Sequence, residues 1–211
     1  MELRDRKILV LAPHTDDGEL GCGGTIAKAL EQGAEVYYAA FSTAKESVPA
    51  GMPPNILEIE VREATRRLGI EPEKLRVFKY TVRKLNYSRQ DILEDLVALR
   101  GELKPDLVFI PSLNDLHQDH STLAMEALRA FKNSSILAYE LPWNNINFTT
   151  QCFSVLERRH LERKIEALAA YGSQKMRAYM SEEYIFSLAR TRGVQIGREF
   201  AECFEVPRWI L

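Results

Sequence analysis

The chain is expected to fold as an α/β protein with a doubly wound, mostly parallel, Rossmann-like sheet and helices on both faces. Three observations lead there. Short continuous apolar runs recur at Lys7–Ala12, Glu35–Phe41 and Asp106–Ile110, too short for core helices and suited to strands buried on both faces. Segments with helical periodicity separate them, and this alternation implies crossover connections and parallel pairing. The length is 211 residues, with 45% hydrophobic and 27% charged residues, which fits a single globular domain over 1–211.

The elements follow in order. KILVLA at 7–12 reads as a first strand that stops at Pro13. A glycine-rich stretch (Gly18, Gly21, Gly23, Gly24) leads into a helical pattern from Thr25 to Gln32, with Gly33 placed to cap it. EVYYAAF at 35–41 is the second strand, completing a βαβ unit. Residues 43–56 hold three prolines and a glycine and read as a surface loop. Helices are expected at about 57–68 and 89–103, the latter with Ile92, Leu93, Leu96, Val97 and Leu99 towards the core. Between them 76–80 suits a strand. DLVFI at 106–110 is another buried strand, followed by a polar loop, a helix to about Phe131 and a strand at 136–141. Beyond that the alternation weakens: 142–156 reads as irregular or β, with helices at 158–171 and 179–192.

Composition narrows the function classes. The net charge of −2 argues against a nucleic-acid footprint. No apolar run reaches the roughly 18 residues of a membrane span. The N-terminus, MELRDRKILVLAP, reads as a strand and not as a signal peptide. The three cysteines, Cys22, Cys152 and Cys203, form no CxxC pair. They suggest neither a disulfide framework nor a thiolate zinc site, and a reducing cytoplasm is the expected compartment.

Chemistry concentrates in two loops. Three of the four histidines lie in Pro13-His14-Thr15-Asp16-Asp17-Gly18-Glu19 and Asn114-Asp115-Leu116-His117-Gln118-Asp119-His120. Each loop directly follows a buried strand, and in open α/β sheets ligands bind beyond the carboxyl ends of the strands. Both loops are therefore expected on one rim. His14 and Asp17 are three apart, as are His117 and His120, a spacing that lets side chains converge in a turn or helix start. His14, Asp17 and His120 would make a two-imidazole, one-carboxylate set that suits zinc, with a position left for water. Such a cation lowers the pKa of water and polarises a carbonyl. Asp16 could then take a proton from the water. A protonated His117 could stabilise an oxyanion, with Asp119 orienting it and holding it charged.

Plainer readings stand beside these. A lone loop histidine is usually a solvated polar residue, and the Asp and Asn residues are good caps and turn formers. The stretch Gly21-Cys22-Gly23-Gly24 does not match G-x-G-x-x-G, and no acidic residue closes the second strand, where Phe41 and Ser42 stand. A glycine-permitted turn with close helix packing is expected there, with Cys22 a small helix-start residue. His160 has no role assigned. Arg158, Arg159, Arg163 and Lys164 interleave with Glu157, Glu162 and Glu166 and read as a salt-bridged, solvated helix face. Trp143-Asn144-Asn145 and the loop 49–54 either line the pocket mouth or are only surface loops.

The motifs themselves are specific. Pro13-His14-Thr15-Asp16-Asp17-Gly18-Glu19 with Gly21-Cys22-Gly23-Gly24-Thr25 resembles the PHxDDxE…GxGGT opening of the PIG-L/LmbE-like deacetylases. His117-Gln118-Asp119-His120 resembles their HxDH motif. Lys164-Ile165-Glu166-Ala167-Leu168 with Ala170-Tyr171 and Ser173-Gln174 is similar to their KxEAL..Y.SQ stretch, and Ala201-Glu202 fits near the C-terminus. The resemblance implies a zinc-dependent N-deacetylase, or one using another divalent metal such as Fe2+, that acts on N-acetylglucosamine units. It matches His14, Asp17 and His120 to the metal ligands, Asp16 to the general base, and His117, backed by Asp119, to the oxyanion-stabilising residue. It also implies a small-molecule N-acetyl amino sugar or conjugate as partner, and leaves a homo-oligomer open. One departure bears on substrate: Leu57 stands where related enzymes carry a substrate-contacting arginine, three residues before Glu60. The pocket is thus expected to lack that bidentate partner and to favour a hydrophobic or extended aglycone, with Pro53, Pro54 and Trp143 suited to stacking. Two rivals remain on the residues alone. One is a non-haem iron oxygenase, which also uses two histidines and a carboxylate. The other is a non-catalytic sugar-binding protein on the same fold.

Overall fold

In the computed structural model, which describes residues 3–210, each apolar run divides its side chains between two cores. Met1, Glu2 and Leu211, at the limits of the expected domain, lie outside the described residues. In β1 (Lys7–Ala12), Ile8, Val10 and Ala12 face one core while Leu9 and Leu11 face the other. In β2 (Glu35–Ala40), Val36, Tyr38 and Ala40 share the first core, and Ala39 joins the second. Strand geometry sends successive side chains to opposite faces, so a strand covered on both sides must be apolar throughout.

Those covers are helices. α1 (Asp17–Glu31), α2 (Ile56–Leu68), α5 (Arg158–Leu168) and α6 (Glu182–Val194) supply Leu20, Val61, Leu161 and Ile185 to the first core. α3 (Arg89–Leu103) and α4 (Gln118–Ala130) bring Ile92, Leu96, Leu99, Leu123 and Ala127 to the second. With β3 (Leu75–Val77), β4 (Leu107–Pro111), β5 (Ser135–Tyr139), β6 (Cys152–Leu156) and β7 (Phe200–Arg208), the sheet has seven strands in the order β3-β2-β1-β4-β5-β7-β6. The first five pair in parallel. β7 pairs antiparallel to both β5 and β6. The doubly wound, mostly parallel sheet with helices on both faces is thus present.

Three details differ from the sequence reading. β3 spans three residues, although the Phe78 and Tyr80 N–H groups still donate to the Ala40 and Phe41 carbonyls at 2.8 and 3.1 Å. α1 starts at Asp17, eight positions earlier than its clean periodicity, and is broken at Cys22, whose φ of −144° is not helical. β7 has no clear signal in the sequence. Its run FAECFEVPR mixes in acidic residues and a proline, and Glu202 and Glu205 are buried by partners that sequence pattern cannot show.

β1 and β4 are neighbours, and the chain winds outward from them in both directions. This is the topological switch point, where a crevice opens beyond the strand ends. The two histidine-bearing loops leave these two strands.

Candidate active site and metal centre

Pro13 ends β1, and the loop turns into α1 so that Asp16 stands at the helix N-cap position and Asp17 in its first turn. The second loop ends at α4, which His117 caps: its Nδ1 accepts the Asp119 backbone N–H at 3.2 Å. His120 then lies in the first turn of α4, pointing back towards β1.

Three donor atoms meet at the crevice. His14 Nδ1 lies 3.2 Å from Asp17 Oδ2, His120 Nε2 lies 3.3 Å from the same oxygen, and the two ring nitrogens are 3.2 Å apart. Ligand bonds of about 2.0–2.1 Å to a tetrahedral cation would span donor separations of roughly 3.3 Å. This triangle therefore fits one small divalent ion. The far nitrogen of each imidazole rests on a buried carboxylate: His14 Nε2 on Asp119 Oδ2 at 2.9 Å, and His120 Nδ1 on Asp115 Oδ2 at 2.8 Å. Such pairs fix ring orientation and raise ligand basicity. His117 stands alongside: donor atoms of His14, His117 and His120 all lie within 4.8 Å of one another, so a three-imidazole set could also hold a metal. The His14–Asp17–His120 triangle is the tighter one, and it leaves His117 facing the open pocket.

The electrostatics suit a cation. Burial opposes charge on Asp17, yet His120 and His14 hold its carboxyl well below the ordinary range. Burial likewise opposes protonation of His120, but Asp17 and Asp115 raise it to about 10. Without a metal, protons on the imidazoles supply the positive charge that this pocket is built around. Burial and the neighbouring Asp17 push the Asp16 carboxyl up to about 6, close to the working range of a general base near neutral pH.

Asp119 is placed differently from the sequence expectation. Its carboxylate does not orient His117. It accepts from the backbone N–H groups of Arg83 at 2.5 Å and Leu85 at 3.1 Å, besides holding His14. Burial and the two neighbouring imidazoles lower the His117 pKa, so His117 is not held charged. With Nδ1 used as an acceptor, the neutral ring presents Nε2–H to the pocket. Asp115 had no role in the sequence reading, although two carboxylates alternating with two histidines in one loop were a visible signal.

Behind the site, Tyr38 and Tyr171 clamp the first loop. The Tyr171 hydroxyl lies 2.6 Å from the Thr15 carbonyl and 2.9 Å from Glu19 Oε1. The Tyr38 hydroxyl accepts from Gly18 N–H at 3.1 Å and contacts the other Glu19 oxygen. Burial pushes Glu19 up to about 8, so it is a neutral acid at pH 7, able to donate a proton to one of its partners.

The break in α1 is handled by two buried charges. The Lys164 ammonium donates to the Leu20 carbonyl at 2.7 Å and to Glu202 Oε1 at 2.8 Å. Glu202 accepts from the Gly24 and Thr25 N–H groups at 3.0 and 2.7 Å, and from the Thr25 hydroxyl. The carbonyl and amides released at the break are thus satisfied. The glycines are sterically required: a Cβ on Gly21 would stand 2.2 Å from the Tyr139 ring, and one on Gly24 2.6 Å from Leu156. This is close packing and not a nucleotide cradle. It corrects the reading of Lys164 as a surface residue, since Lys164 is 3% exposed. His160 is also buried, bonded to Glu31 and closing the capping box of α5. Cys22 is buried, which raises its thiol pKa and keeps it unreactive.

The pocket over the site has a volume of about 240 Å3. Asp16, His117, Leu57, Trp143 and Asn144 line it, whereas Pro53 and Pro54 do not. Leu57 does give an apolar wall. Arg83 and Arg177, from segments that the sequence reading passed over, also line the pocket.

A switch-point crevice carrying these paired histidine–carboxylate loops places the chain among LmbE-like α/β proteins. The family model for PIG-L, described as GlcNAc-PI de-N-acetylase, matches residues 9–131, more than half of the chain. The chain belongs to the PIG-L family of deacetylases. A Bacillus cereus relative, a probable N-acetyl-alpha-D-glucosaminyl L-malate deacetylase, is 28% identical over 137 residues, covering 60% of this chain and 61% of that protein. The chain's match thus spans less than two thirds of that relative. Among solved structures, a conserved protein of Thermus thermophilus is 27% identical with a TM-score of 0.79, covering 98% of this chain and 96% of the other. A 4-carboxy-2-hydroxymuconate hydratase from Pseudomonas putida superposes with a TM-score of 0.81 at 19% identity, covering 98% of each chain. The fold alone therefore does not select the reaction. No helix among the described residues is long and apolar enough to cross a membrane.

Proposed function

We propose that this chain, as a single LmbE-like domain over 1–211, is a zinc-dependent N-deacetylase that removes the acetyl group from an N-acetyl amino sugar or its conjugate. The observation that carries the reading is the donor triangle of His14 Nδ1, Asp17 Oδ2 and His120 Nε2, with Asp16 beside it on the pocket wall. When bound there, a divalent cation would lower the pKa of water and polarise the amide carbonyl.

The chain's own residues then have defined tasks. Asp115 and Asp119 hold the two imidazoles with the ligating nitrogens inward. Asp16, as carboxylate, takes a proton from the attacking water. His117 donates Nε2–H to the oxygen that gains charge in the tetrahedral intermediate. Asp16, now protonated, returns the proton to the leaving nitrogen as the C–N bond breaks, releasing acetate and the free amine. Leu57 and Trp143 give the pocket an apolar part of its wall.

The hydratase neighbour makes the discriminating experiment direct. The zinc-loaded protein is assayed for acetate release from N-acetylglucosamine and its glycosides, and for water addition to an unsaturated dicarboxylate. Stoichiometric acetate and amine are expected from a glycoside. Hydration without deacetylation would reject the proposal.

A further inference from the structure

The run FAECFEVPR in β7 puts two acidic side chains into the interior, Glu202 and Glu205, each 7% exposed. They stand three positions apart in a strand, so they leave by opposite faces of the sheet. Glu202 reaches α1, whose first turn carries Asp17. Glu205 reaches the other loop of the site. We propose that Glu205 is a positioning residue for the cation site: it braces the segment 112–117 from behind, so that Asp115 can hold His120 with its ligating nitrogen inward. This role depends on the deacetylase and zinc-site reading, and it adds the group that keeps the second loop in place.

A carboxylate buried without partners is costly, and Glu205 is satisfied by three donors. Its Oε2 accepts the Ser112 hydroxyl at 2.7 Å. Its Oε1 accepts the Asn114 side-chain amide at 3.2 Å and the Thr149 backbone N–H at 3.3 Å. All three are neutral groups bonded to an acidic acceptor, the stronger kind of hydrogen bond.

The bond to Ser112 has a second consequence. With its proton committed to Glu205, the serine oxygen accepts the Asn114 backbone N–H at 3.1 Å. The Ser112 carbonyl accepts the Asp115 N–H at 3.3 Å. The chain is thereby turned just before Asp115, whose Oδ2 holds His120 Nδ1 and whose Oδ1 accepts the His117 N–H, each at 2.8 Å. The bond to Thr149 ties in the segment 142–149, which runs beside the loop. There the Leu116 N–H donates to the Asn144 carbonyl at 3.0 Å, and Asp115 pairs with Asn145 as an antiparallel bridge. One carboxylate thus joins both sides of this small ribbon to β7.

The test is zinc affinity, measured by chelator competition at pH 7 on wild type, Glu205→Leu, Glu205→Gln and Asp115→Asn, with circular dichroism and melting of the zinc-free proteins to score the fold. Leucine is close to glutamate in size and accepts none of the three bonds. Zinc affinity in Glu205→Leu should fall about tenfold, the low end of what partners behind a ligand contribute. Glutamine keeps an oxygen for Asn114 and Thr149 and should restore most of this, leaving a loss of about threefold for the one bond to Ser112. In Asp115→Asn, whose hold on His120 is already weakened, adding Glu205→Leu should lower affinity little further, because residues that act through one another are not additive. A folded Glu205→Leu that binds zinc as wild type does, however low its melting temperature, overturns the inference. So does an equal loss repeated in the Asp115→Asn background. If Glu205→Leu does not fold, Glu205→Gln decides, and no measurable loss in that variant overturns the inference. A wild type that binds no zinc removes the zinc-site reading and the inference together. The expected variant losses, with no acetate released by wild type from any N-acetylglucosamine glycoside, leave the brace standing and remove the deacetylase reading.

Discussion

Asp115→Asn isolates the contribution of a residue that touches no substrate. In wild type, Asp115 Oδ2 holds His120 Nδ1 at 2.8 Å and Oδ1 accepts the His117 N–H at 2.8 Å. Asp115 is 4% exposed, so water does not replace either bond easily. Asparagine keeps the shape but turns one oxygen into a donor. If that donor faces the His117 N–H, the loop loses its anchor. If it faces His120 Nδ1, the ring must move its proton to Nε2, the nitrogen aimed at the cation. Either way the negative partner that favours an Nδ1–H tautomer is gone. Losing such a partner typically lowers metal affinity about 10- to 100-fold, which is roughly 1.4–2.7 kcal/mol. Competition with a zinc chelator at pH 7 measures it, and circular dichroism checks the fold. Wild-type zinc affinity in a folded Asp115→Asn protein would refute the argument that His120 is a ligand held from behind.

Three further outcomes are expected. Asp16→Asn should retain zinc while acetate release falls about 100- to 10,000-fold, the usual contribution of a general base; near wild-type turnover would show that another group takes the proton. Zinc affinity should rise with pH and go on rising towards about pH 10, because His14 has a raised pKa, His120 is raised to about 10, and a proton must leave before the metal enters; the same chelator competition at several pH values would show a flat profile if the imidazoles were not ligands. Glu202→Leu should destabilise the fold by about 3–5 kcal/mol, since it strands Lys164 as a buried, uncompensated charge at the break in α1. That corresponds to a Tm roughly 6–20 °C lower, and a melting curve within a degree or two of wild type would mean the break is held by other contacts.

The alternation of apolar runs and helical periods is a local property, and it carried the sheet class, the strands expected at 7–12, 35–41 and 106–110, and the helices expected at about 57–68 and 89–103, each of which the fold contains to within a residue. The two loops were also legible, because HxxD and HxxH sit directly after strands that must be buried on both faces. Their meeting needed only the rule that parallel strands present their carboxyl ends on one rim. What the tertiary structure decided are partnerships between residues distant in sequence. Asp119 lies near His117 in the chain but bonds His14, 105 positions away. Lys164 lies in a row of surface charges, yet a helix break 144 positions earlier draws it inside. Arg83 and Arg177 look like ordinary surface arginines until a left-handed turn and a Gln174–Tyr179 cradle set each on the pocket wall. Periodicity reports which face of an element is buried. It holds no record of which distant polar group waits there, because that depends on strand order and helix packing, and those are settled only when the whole chain closes around its two cores.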